Sequence, residues 1–331
     1  MSVRFIVVGF GFMGQTHAGN ILKHPGAELA AIVDPYPPTD RLATIRGNKN
    51  TVTITAADVK EIPHYPSMEE AFRKVKADAV IIALPTLLHY SSVMYCLEQG
   101  FHVMVEKPFA IKEEECRKMV QEAAKRERLL AVGYVVRCMK EYMILKNYIE
   151  EGTYGKPEFI MFSRITGVPA WGNWKDPEFI KASGGALFDL FSHDADITRF
   201  CLGEPSGILP DKIVSRKFNG NMVSAIFRYP TCDVRIDSGF VTPSPYPFNR
   251  HFSAFFEKGT LLCEGTTLQF ITQEGIKQID LADDNPYYTE LTNFITAMES
   301  GDHSIVCTGA DAAHSIECCN LIAKKLEEES R

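Results

Sequence analysis

The sequence has few of the features that mark a disulfide scaffold, a zinc protein, a membrane protein or a nucleic-acid binder. Its nine cysteines are scattered without a Cys-x-x-Cys pair, which is typical of reduced thiols in a cytoplasmic protein. No apolar run reaches membrane-spanning length, and no basic run offsets the net charge of −7 to attract nucleic acid. The chain enters an apolar segment at once, so we also expect no signal peptide.

The first segment combines a buried strand with a glycine-rich turn. Five of the six residues 3–8 are apolar, as in a strand of a parallel sheet, and a helix is predicted from Gly14 to Lys23. Between them the spacing is G-x-G-x-x-G, which permits a tight turn, close approach to a pyrophosphate and helix packing. The pyrophosphate would face the helix N-terminus. We therefore predict a dinucleotide site that comprises Gly9, Phe10, Gly11, Phe12, Met13 and Gly14.

Asp34 decides between the two nicotinamide cofactors. It ends the next apolar run, twenty residues after Gly14, where a carboxylate would hold a ribose 2′-hydroxyl. The same carboxylate would repel the 2′-phosphate of NADP. Residues 35–38 contain no arginine that could pair with that phosphate, and Arg41 is several residues away. The sequence therefore favours NAD over NADP.

Strand and helix patterns alternate through residues 1–135, which predicts a doubly wound parallel sheet. Two further strands end at Pro85 and at Lys107. Because ligands lie at the carboxyl ends of such strands, we expect Pro85 and Lys107 to share an edge with Gly9 and Asp34.

Residues 136–331 have a different pattern, with many strands and few intervening helices. Strands are predicted at 158–165, 212–218, 222–229, 233–241, 252–257, 260–263, 268–272 and 276–281, and closing helices at 287–299 and 310–328. The predicted fold class is therefore α/β plus α+β. It comprises an N-terminal Rossmann domain, 1–135, and a C-terminal domain, 136–331, with a large, mainly antiparallel open sheet flanked by helices. The closing helix could pack back on the first domain.

Two glycines and three ionisable residues form a second informative stretch. On a helix predicted over 185–200, Asp189, His193 and Asp196 fall at i, i+4 and i+7, on one face. A histidine beside a carboxylate can move a proton near neutral pH, but a solvated polar face would show the same pattern. A metal site is a third interpretation. We expect none, because no further histidine or cysteine has matching spacing.

Together these motifs resemble the Gfo/Idh/MocA oxidoreductases, the group that includes inositol dehydrogenases and glucose-fructose oxidoreductase. The resemblance covers nearly the whole chain, although Leu84 stands where the family commonly has threonine. It rests on the glycine-rich opening with His17, on A-L-P-T-L-L-H at 83–89, on G-F-H-V-M-V-E-K-P at 100–108, and on Gly184-Gly185 with the three ionisable residues.

The resemblance implies an NAD-dependent dehydrogenase that acts on a CH–OH group of a sugar, a sugar derivative or inositol. Lys107 would lie between the nicotinamide and the substrate hydroxyl. His193 would be the general base, and Asp189 would orient it or hold a substrate hydroxyl. The resemblance also implies a cis peptide bond before Pro108. The remaining cofactor contacts would be Leu84, Pro85, His89 and Glu106.

The substrate is less well specified. Trp174, with Trp171, could offer an aromatic face to a sugar ring, or both could simply fill space between the domains. Arg137 and Arg164 could receive an acidic group. We expect a small polyol or sugar as the partner, no nucleic acid, no membrane, and a homodimer or homotetramer.

Two other functions remain open on the same fold. One is a glycosidase that oxidises, eliminates and re-reduces while it recycles NAD. The other is a non-catalytic NAD-sensing regulator, which intact Lys107, Asp189 and His193 disfavour.

Overall fold

The computed structural model describes residues 2–44, 54–168, 176–218, 220–243, 249–281 and 285–328. The chain divides into two compact units. The first comprises Met1–Val135 and Asn285–Ala313, and the second Val136–Asp284 and His314–Arg331. Within the described ranges, no helix combines the length and the apolar character needed to span a bilayer.

The first unit contains a six-stranded, all-parallel sheet in the order β3-β2-β1-β4-β5-β6, which confirms the predicted Rossmann arrangement. The strands are β1 Val3–Val8, β2 Ala27–Val33, β3 His64–Tyr65, β4 Ala79–Ile82, β5 His102–Glu106 and β6 Leu130–Gly133. The helices are α1 Phe12–Lys23, α2 Pro38–Thr44, α3 Ala56–Val59, α4 Met68–Lys74, α5 His89–Glu98 and α6 Glu113–Arg126. A 3₁₀ turn, Thr86–Leu88, precedes α5.

The first unit also recruits a helix from much later in the chain. Helix α11, Pro286–Ser300, buries Leu291 and Phe294 in the core, where the Phe294 ring lies 6.2 Å from the ring of Phe5. The sequence had placed all of 136–331 in one domain. An amphipathic helix does not reveal from its own pattern which core will bury its apolar face.

The second unit contains an eight-stranded sheet in the order β14-β13-β12-β11-β7-β10-β9-β8. All neighbouring pairs are antiparallel except β7 with β10. The strands are β7 Pro157–Thr166, β8 Gly207–Pro210, β9 Met222–Arg228, β10 Asp233–Phe240, β11 Asn249–Phe256, β12 Gly259–Glu264, β13 Thr267–Thr272 and β14 Gly275–Ile279. The helices are α7 Lys140–Glu151, α8 Pro177–Ala182, α9 Ser192–Leu202, α10 Lys212–Lys217 and most of α12, Gly309–Glu327.

This sheet buries one face. Along β7 the residues alternate, so that Ile160 and Phe162 are buried while Met161 is 37% exposed. Phe255 on the adjacent β11 is 39% exposed, and its ring lies 6.4 Å from that of Phe159. The open face of the sheet therefore carries exposed apolar side chains, Met161 and Phe255, beside polar ones such as Arg235 and Asp237.

One predicted element is wrong in type, and a second, correctly predicted as a helix, begins irregularly. Residues 212–217 form a helix rather than a strand, because Asp211 caps the N-terminus by accepting a hydrogen bond from the amide of Val214 at 3.1 Å. Ile213 is 81% exposed, so its apolar side chain is not evidence of a buried strand. The helix predicted from Gly185 begins with a π-helical turn, Leu187–Phe191, before α9. This turn alters the regular spacing on which a single face of Asp189, His193 and Asp196 was predicted.

Candidate active site

The glycine-rich turn has the steric properties that the sequence predicted. Gly9 has a φ of +88°, and a Cβ there would lie 2.6 Å from the carbonyl oxygen of Ala83. A Cβ at Gly14 would lie 1.9 Å from the carbonyl oxygen of Gly9, so the start of α1 packs directly against the turn. A Cβ at Gly11 would meet nothing within 4 Å. The backbone at Gly11 can therefore be approached closely by a ligand.

Asp34 ties this turn to the next loop. Its carboxylate accepts hydrogen bonds from the backbone amides of Phe10, at 2.8 Å, and Tyr36, at 3.0 Å. Arg41 donates from Nε to the same carboxylate at 3.0 Å, and its guanidinium lies 4.7 Å from the centre of the Tyr36 ring. The sequence separation had made Arg41 look remote. Helix α2 instead folds it back onto Asp34.

Leu84 and Pro85 follow β4 and precede the 3₁₀ turn; Leu84 is half-buried and Pro85 is exposed. His89 at the start of α5 is buried, and its Nε2 lies 2.9 Å from the Leu84 carbonyl oxygen. Its Nδ1 lies 2.9 Å from the carbonyl oxygen of Pro108. Burial lowers the pKa of this imidazole, which favours its neutral form. His89 thus connects two segments predicted to contact the cofactor, and its own contact with the cofactor stays a prediction.

Glu106 and Lys107 end β5. The Glu106 side chain is buried, and its Oε1 lies 2.7 Å from Nε2 of His17, which is itself buried in α1. Lys107 is half-buried, and the peptide bond from Lys107 to Pro108 is cis. The carboxyl ends of β1, β2, β4 and β5 therefore carry the glycine-rich turn, Asp34, Leu84-Pro85 and Glu106-Lys107 in one sheet.

Glu290 on α11 is a buried acid that the sequence motifs did not identify. Burial raises its pKa well above the usual glutamate value, and the negative charge of Glu106 adds to this effect. The local sequence shows only a glutamate in an amphipathic helix. The packing of α11 into the core of the first unit is what buries this carboxyl group.

In the second unit, two left-handed glycines lead into the acid–base stretch. Gly184 and Gly185 have φ values of +82° and +59°, and a Cβ at Gly184 would lie 2.4 Å from a ring carbon of Phe188. Asp189 lies in the π-helical turn and His193 in α9, and both side chains are half-buried.

The neighbouring aspartates are structural. Asp194 is buried and accepts two hydrogen bonds from Arg164, at 2.7 and 3.0 Å. Asp196 is buried and accepts two from Arg137, at 2.7 and 2.8 Å. The interpretation of these arginines as receptors for a substrate acid is therefore wrong, because their guanidinium groups are engaged within the unit. Two residues far apart in sequence form each pair, so no local spacing could reveal it.

Trp171 and Trp174 lie outside the described residues, and Trp174 stays a predicted substrate contact. Among residues that the structure describes, no group of three or more His, Cys, Asp or Glu side chains could hold a metal ion.

Comparison with known proteins gives the family. Residues 3–134 match the family described as "Oxidoreductase family, NAD-binding Rossmann fold", and residues 142–262 match the "GFO/IDH/MocA C-terminal domain". The chain is 25% identical to a myo-inositol 2-dehydrogenase of Thermotoga maritima over 98% of this chain and 97% of the relative. It is 30% identical to inositol 2-dehydrogenase 3 of Saccharopolyspora erythraea over 79% of this chain and 73% of the relative.

A solved structure supports the fold independently. An oxidoreductase of Agrobacterium radiobacter in complex with NAD+, L-tartaric acid and magnesium superposes with a TM-score of 0.81, over 100% of this chain and 98% of that one, at 19% identity. The resemblance inferred from the motifs is thereby confirmed: the chain belongs to the Gfo/Idh/MocA family of NAD-binding oxidoreductases.

Proposed function

We propose that the protein transfers a hydride between the nicotinamide C4 of NAD and a secondary hydroxyl or ketone of a sugar, a sugar derivative or inositol. One observation carries the catalytic assignment. Within residues 189–196, Asp194 and Asp196 are buried in arginine pairs, whereas Asp189 and His193 keep part of their side-chain surface. The names of the two inositol dehydrogenases among its relatives support the substrate class.

The residues of the first unit fit the cofactor. Gly11 leaves its backbone open to approach, and the first turn of α1 carries no acidic residue that would repel a pyrophosphate. Asp34 fits a ribose diol better than a ribose phosphate. NAD, when bound, supplies the acceptor for the hydride.

The chain supplies the proton chemistry and the charge. We assign His193 as the base that takes the hydroxyl proton on an imidazole nitrogen, and Asp189 as the carboxylate that orients it. Lys107 would stabilise the developing negative charge on the substrate oxygen through its ammonium group.

The decisive experiment is a panel of polyols and sugars offered with NAD and NADP, with NADH absorbance as the readout. At least one substrate should reduce NAD. Lys107→Ala should then abolish turnover and leave NAD binding near that of the wild type. Lys112→Ala, five residues later and highly exposed, is the matched control and should retain activity. Equal loss of NAD binding and turnover in Lys107→Ala would assign that lysine a structural role.

We also propose a homodimer or homotetramer that associates through the open face of the eight-stranded sheet. Met161 and Phe255 are exposed on that face, and covering them would remove apolar surface from water. Phe255→Glu should lower the mass measured by light scattering, whereas Ile213→Glu, on an exposed helix of the same unit, should not.

The thiol state of all nine cysteines, eight of which are buried, supports a cytoplasmic location.

A further inference from the structure

Helix α12 contacts the acid–base stretch through two side chains that lie one turn apart. Ser315 and Cys319 are fully buried, and their positions, i and i+4, place them on the same face of the helix. We call these two residues the α12 support face. Cys319 contacts Leu187, which precedes Asp189, and Ser315 contacts α9 beyond His193. Within the second unit, the support face therefore reaches the stretch on both sides of its two proposed catalytic residues.

Ser315 joins two charged residues of α9. Its hydroxyl donates to Oδ1 of Asp196 at 2.9 Å and accepts from Nη1 of Arg199 at 2.7 Å. Asp196 and Arg199 are three residues apart, so they are neighbours on the helix surface, and Asp196 lies one turn after His193. A serine hydroxyl is both a donor and an acceptor, so one side chain can bridge a carboxylate and a guanidinium. Both partners are buried, which shields this bridge from water.

Cys319 contacts the π-helical turn that carries Asp189. Its thiol donates to the carbonyl oxygen of Leu187, with 3.7 Å between Sγ and the oxygen. The same oxygen accepts from the amide of Ser192, five residues later, which is the hydrogen bond that defines a π-helical register. Burial raises the pKa of this thiol well above its usual value, so the thiol keeps its proton and remains a donor at ordinary pH.

The two contacts bracket the residues whose relative position matters for proton transfer. The π-helical turn, Leu187–Phe191, continues directly into α9 at Ser192, so Asp189 and His193 lie on one uninterrupted helical segment. A change of the turn to the α-helical register would alter the number of residues per turn and rotate Asp189 relative to His193. Anchors at both ends of the segment oppose such a change.

We propose that Ser315 and Cys319 are positioning residues for the proton transfer: they anchor the helical segment 187–199 at both ends and so fix Asp189 relative to His193. This inference rests on the proposed function in one respect, the roles of Asp189 and His193 in turnover. Ser315 should be the stronger anchor, because its hydrogen bonds have charged partners, whereas a thiol is a weak donor.

Variants of the two residues test the proposal by activity. Ser315→Ala should lower kcat about tenfold, part of the roughly 10²-fold that a misplacement of about 1 Å can cost, whereas Ser315→Thr keeps the hydroxyl and should retain most of the activity. Cys319→Ala should lower kcat about threefold, and Cys319→Ser, which keeps a donor, should match the wild type. The Kd for NAD should change little, because the glycine-rich turn belongs to the other unit. Cys318→Ala, at the adjacent buried cysteine, is the matched control.

A measurement without substrate separates this inference from the proposed function. Diethyl pyrocarbonate acylates accessible imidazoles, and mass spectrometry locates the modified histidines. The half-buried His193 should react several-fold faster in Ser315→Ala, because α9 is held less firmly, and at the wild-type rate in Ser315→Thr. His303, exposed in the first unit, is the internal reference. A wild-type enzyme that oxidises nothing in the panel of polyols and sugars would refute the proposed function, while this labelling would still decide whether the α12 support face positions His193.

The proposal fails if Ser315→Ala lowers the Tm but keeps the wild-type kcat and His193 reactivity, because the bridge would then serve stability alone. It also fails if Ser315→Thr loses as much activity as Ser315→Ala, since the hydroxyl would not be the cause. Should Ser315→Ala not fold, the comparison of Cys319→Ala with Cys319→Ser decides alone: equal kcat values in these two variants overturn the proposal.

Discussion

The two units stabilise buried carboxyl groups in different ways. In the second unit, Asp194 and Asp196 each meet an arginine through two hydrogen bonds. In the first unit, Glu106 contacts a histidine, and Glu290 has a raised pKa. An arginine stays charged at every ordinary pH, so it fixes its partner in one charge state. A histidine and a second carboxyl group can both exchange protons.

The difference separates buried carboxylates with a fixed charge from a buried acid whose charge can change with pH. The arginine pairs link α9, which carries His193, to strand β7 through Arg164 and to the segment before α7 through Arg137, with a charge pattern that does not respond to pH. Glu290 of the first unit has a raised pKa, so its charge can change with pH. The second unit would therefore present its proposed base on a fixed scaffold, whereas the first unit retains a buried acid, Glu290, whose raised pKa allows its charge to change with pH.

The largest expected effect tests whether the half-buried His193, rather than the arginine-paired aspartates, transfers the proton. His193→Asn should reduce kcat/KM by roughly 10²–10⁴, the usual contribution of a positioned acid–base group, with little change in Tm. The wild-type rise of kcat/KM with pH should also disappear. His314→Asn, a histidine on the exposed side of α12, is the control. A wild-type rate and pH profile in His193→Asn would exclude it as the base.

The next largest effect tests whether the buried pair of Arg164 and Asp194 stabilises the second unit. Asp194→Asn leaves Arg164 buried without its carboxylate, so the free energy of unfolding should fall by about 3–5 kcal/mol, measured by urea denaturation. The double variant Arg164→Met/Asp194→Leu removes both charges and should recover much of that loss. If the single variant is as stable as the wild type, the pair does not hold the scaffold.

Glu290 should make the stability of the first unit depend on pH, unlike the arginine pairs of the second unit. Because the folded pKa of Glu290 is raised, the folded protein holds a proton that the unfolded chain releases above the usual glutamate pKa. Stability should therefore fall by about 1.4 kcal/mol per pH unit as the pH rises from that value through the folded pKa. Glu290→Gln should lack this contribution, so its Tm should gain on that of the wild type with rising pH. A constant difference in Tm would contradict a retained proton.

Asp34 is the exception in the first unit, since this buried acid has an arginine partner. Asp34→Ser should raise the ratio of NADP to NAD affinity about tenfold, or about 1.4 kcal/mol, because Arg41 becomes available to a 2′-phosphate. Asp34→Ser/Arg41→Met should return the ratio towards its wild-type value. Equal NAD and NADP binding by the wild type would show that Arg41 already serves the phosphate.

The smallest effect concerns a pair in the second unit between the buried Arg199 and the exposed Glu204. A hydrogen bond from Arg199 holds the pKa of Glu204 at about 2, with a further contribution from His314. The stabilisation should be present above the usual glutamate pKa and be lost as the pH falls towards 2. Because Glu204 is more than half exposed, Glu204→Gln should cost under about 1 kcal/mol at neutral pH. Its Tm should converge on that of the wild type in acid, and a difference that persists at pH 2 would point to packing.

Local patterns predicted most of the strands and the glycine-rich turn, because strand burial and turn geometry depend on near neighbours. They failed at 212–217, where the apolar residues Ile213 and Val214 suggested a strand but the capping Asp211 starts a helix. They also failed at the π-helical turn, because regular helical spacing does not predict one. The arginine pairs and Glu290 depend on contacts between residues distant in sequence. The motifs could therefore name Lys107 and His193 as candidates, but they could not reveal the buried arginine pairs of the aspartates next to His193.

The late helix of the first unit has a consequence for synthesis on the ribosome. The first unit ends its early portion at Val135 and resumes at Asn285, and Phe294 packs against the core near Phe5. At about 5–20 residues per second, the intervening stretch takes roughly 10–30 s to emerge. During that interval the nascent Rossmann sheet exposes the apolar surface that α11 later covers. A chain cut at Val135 would keep this surface exposed permanently, so it should depend on chaperones and aggregate when they are absent.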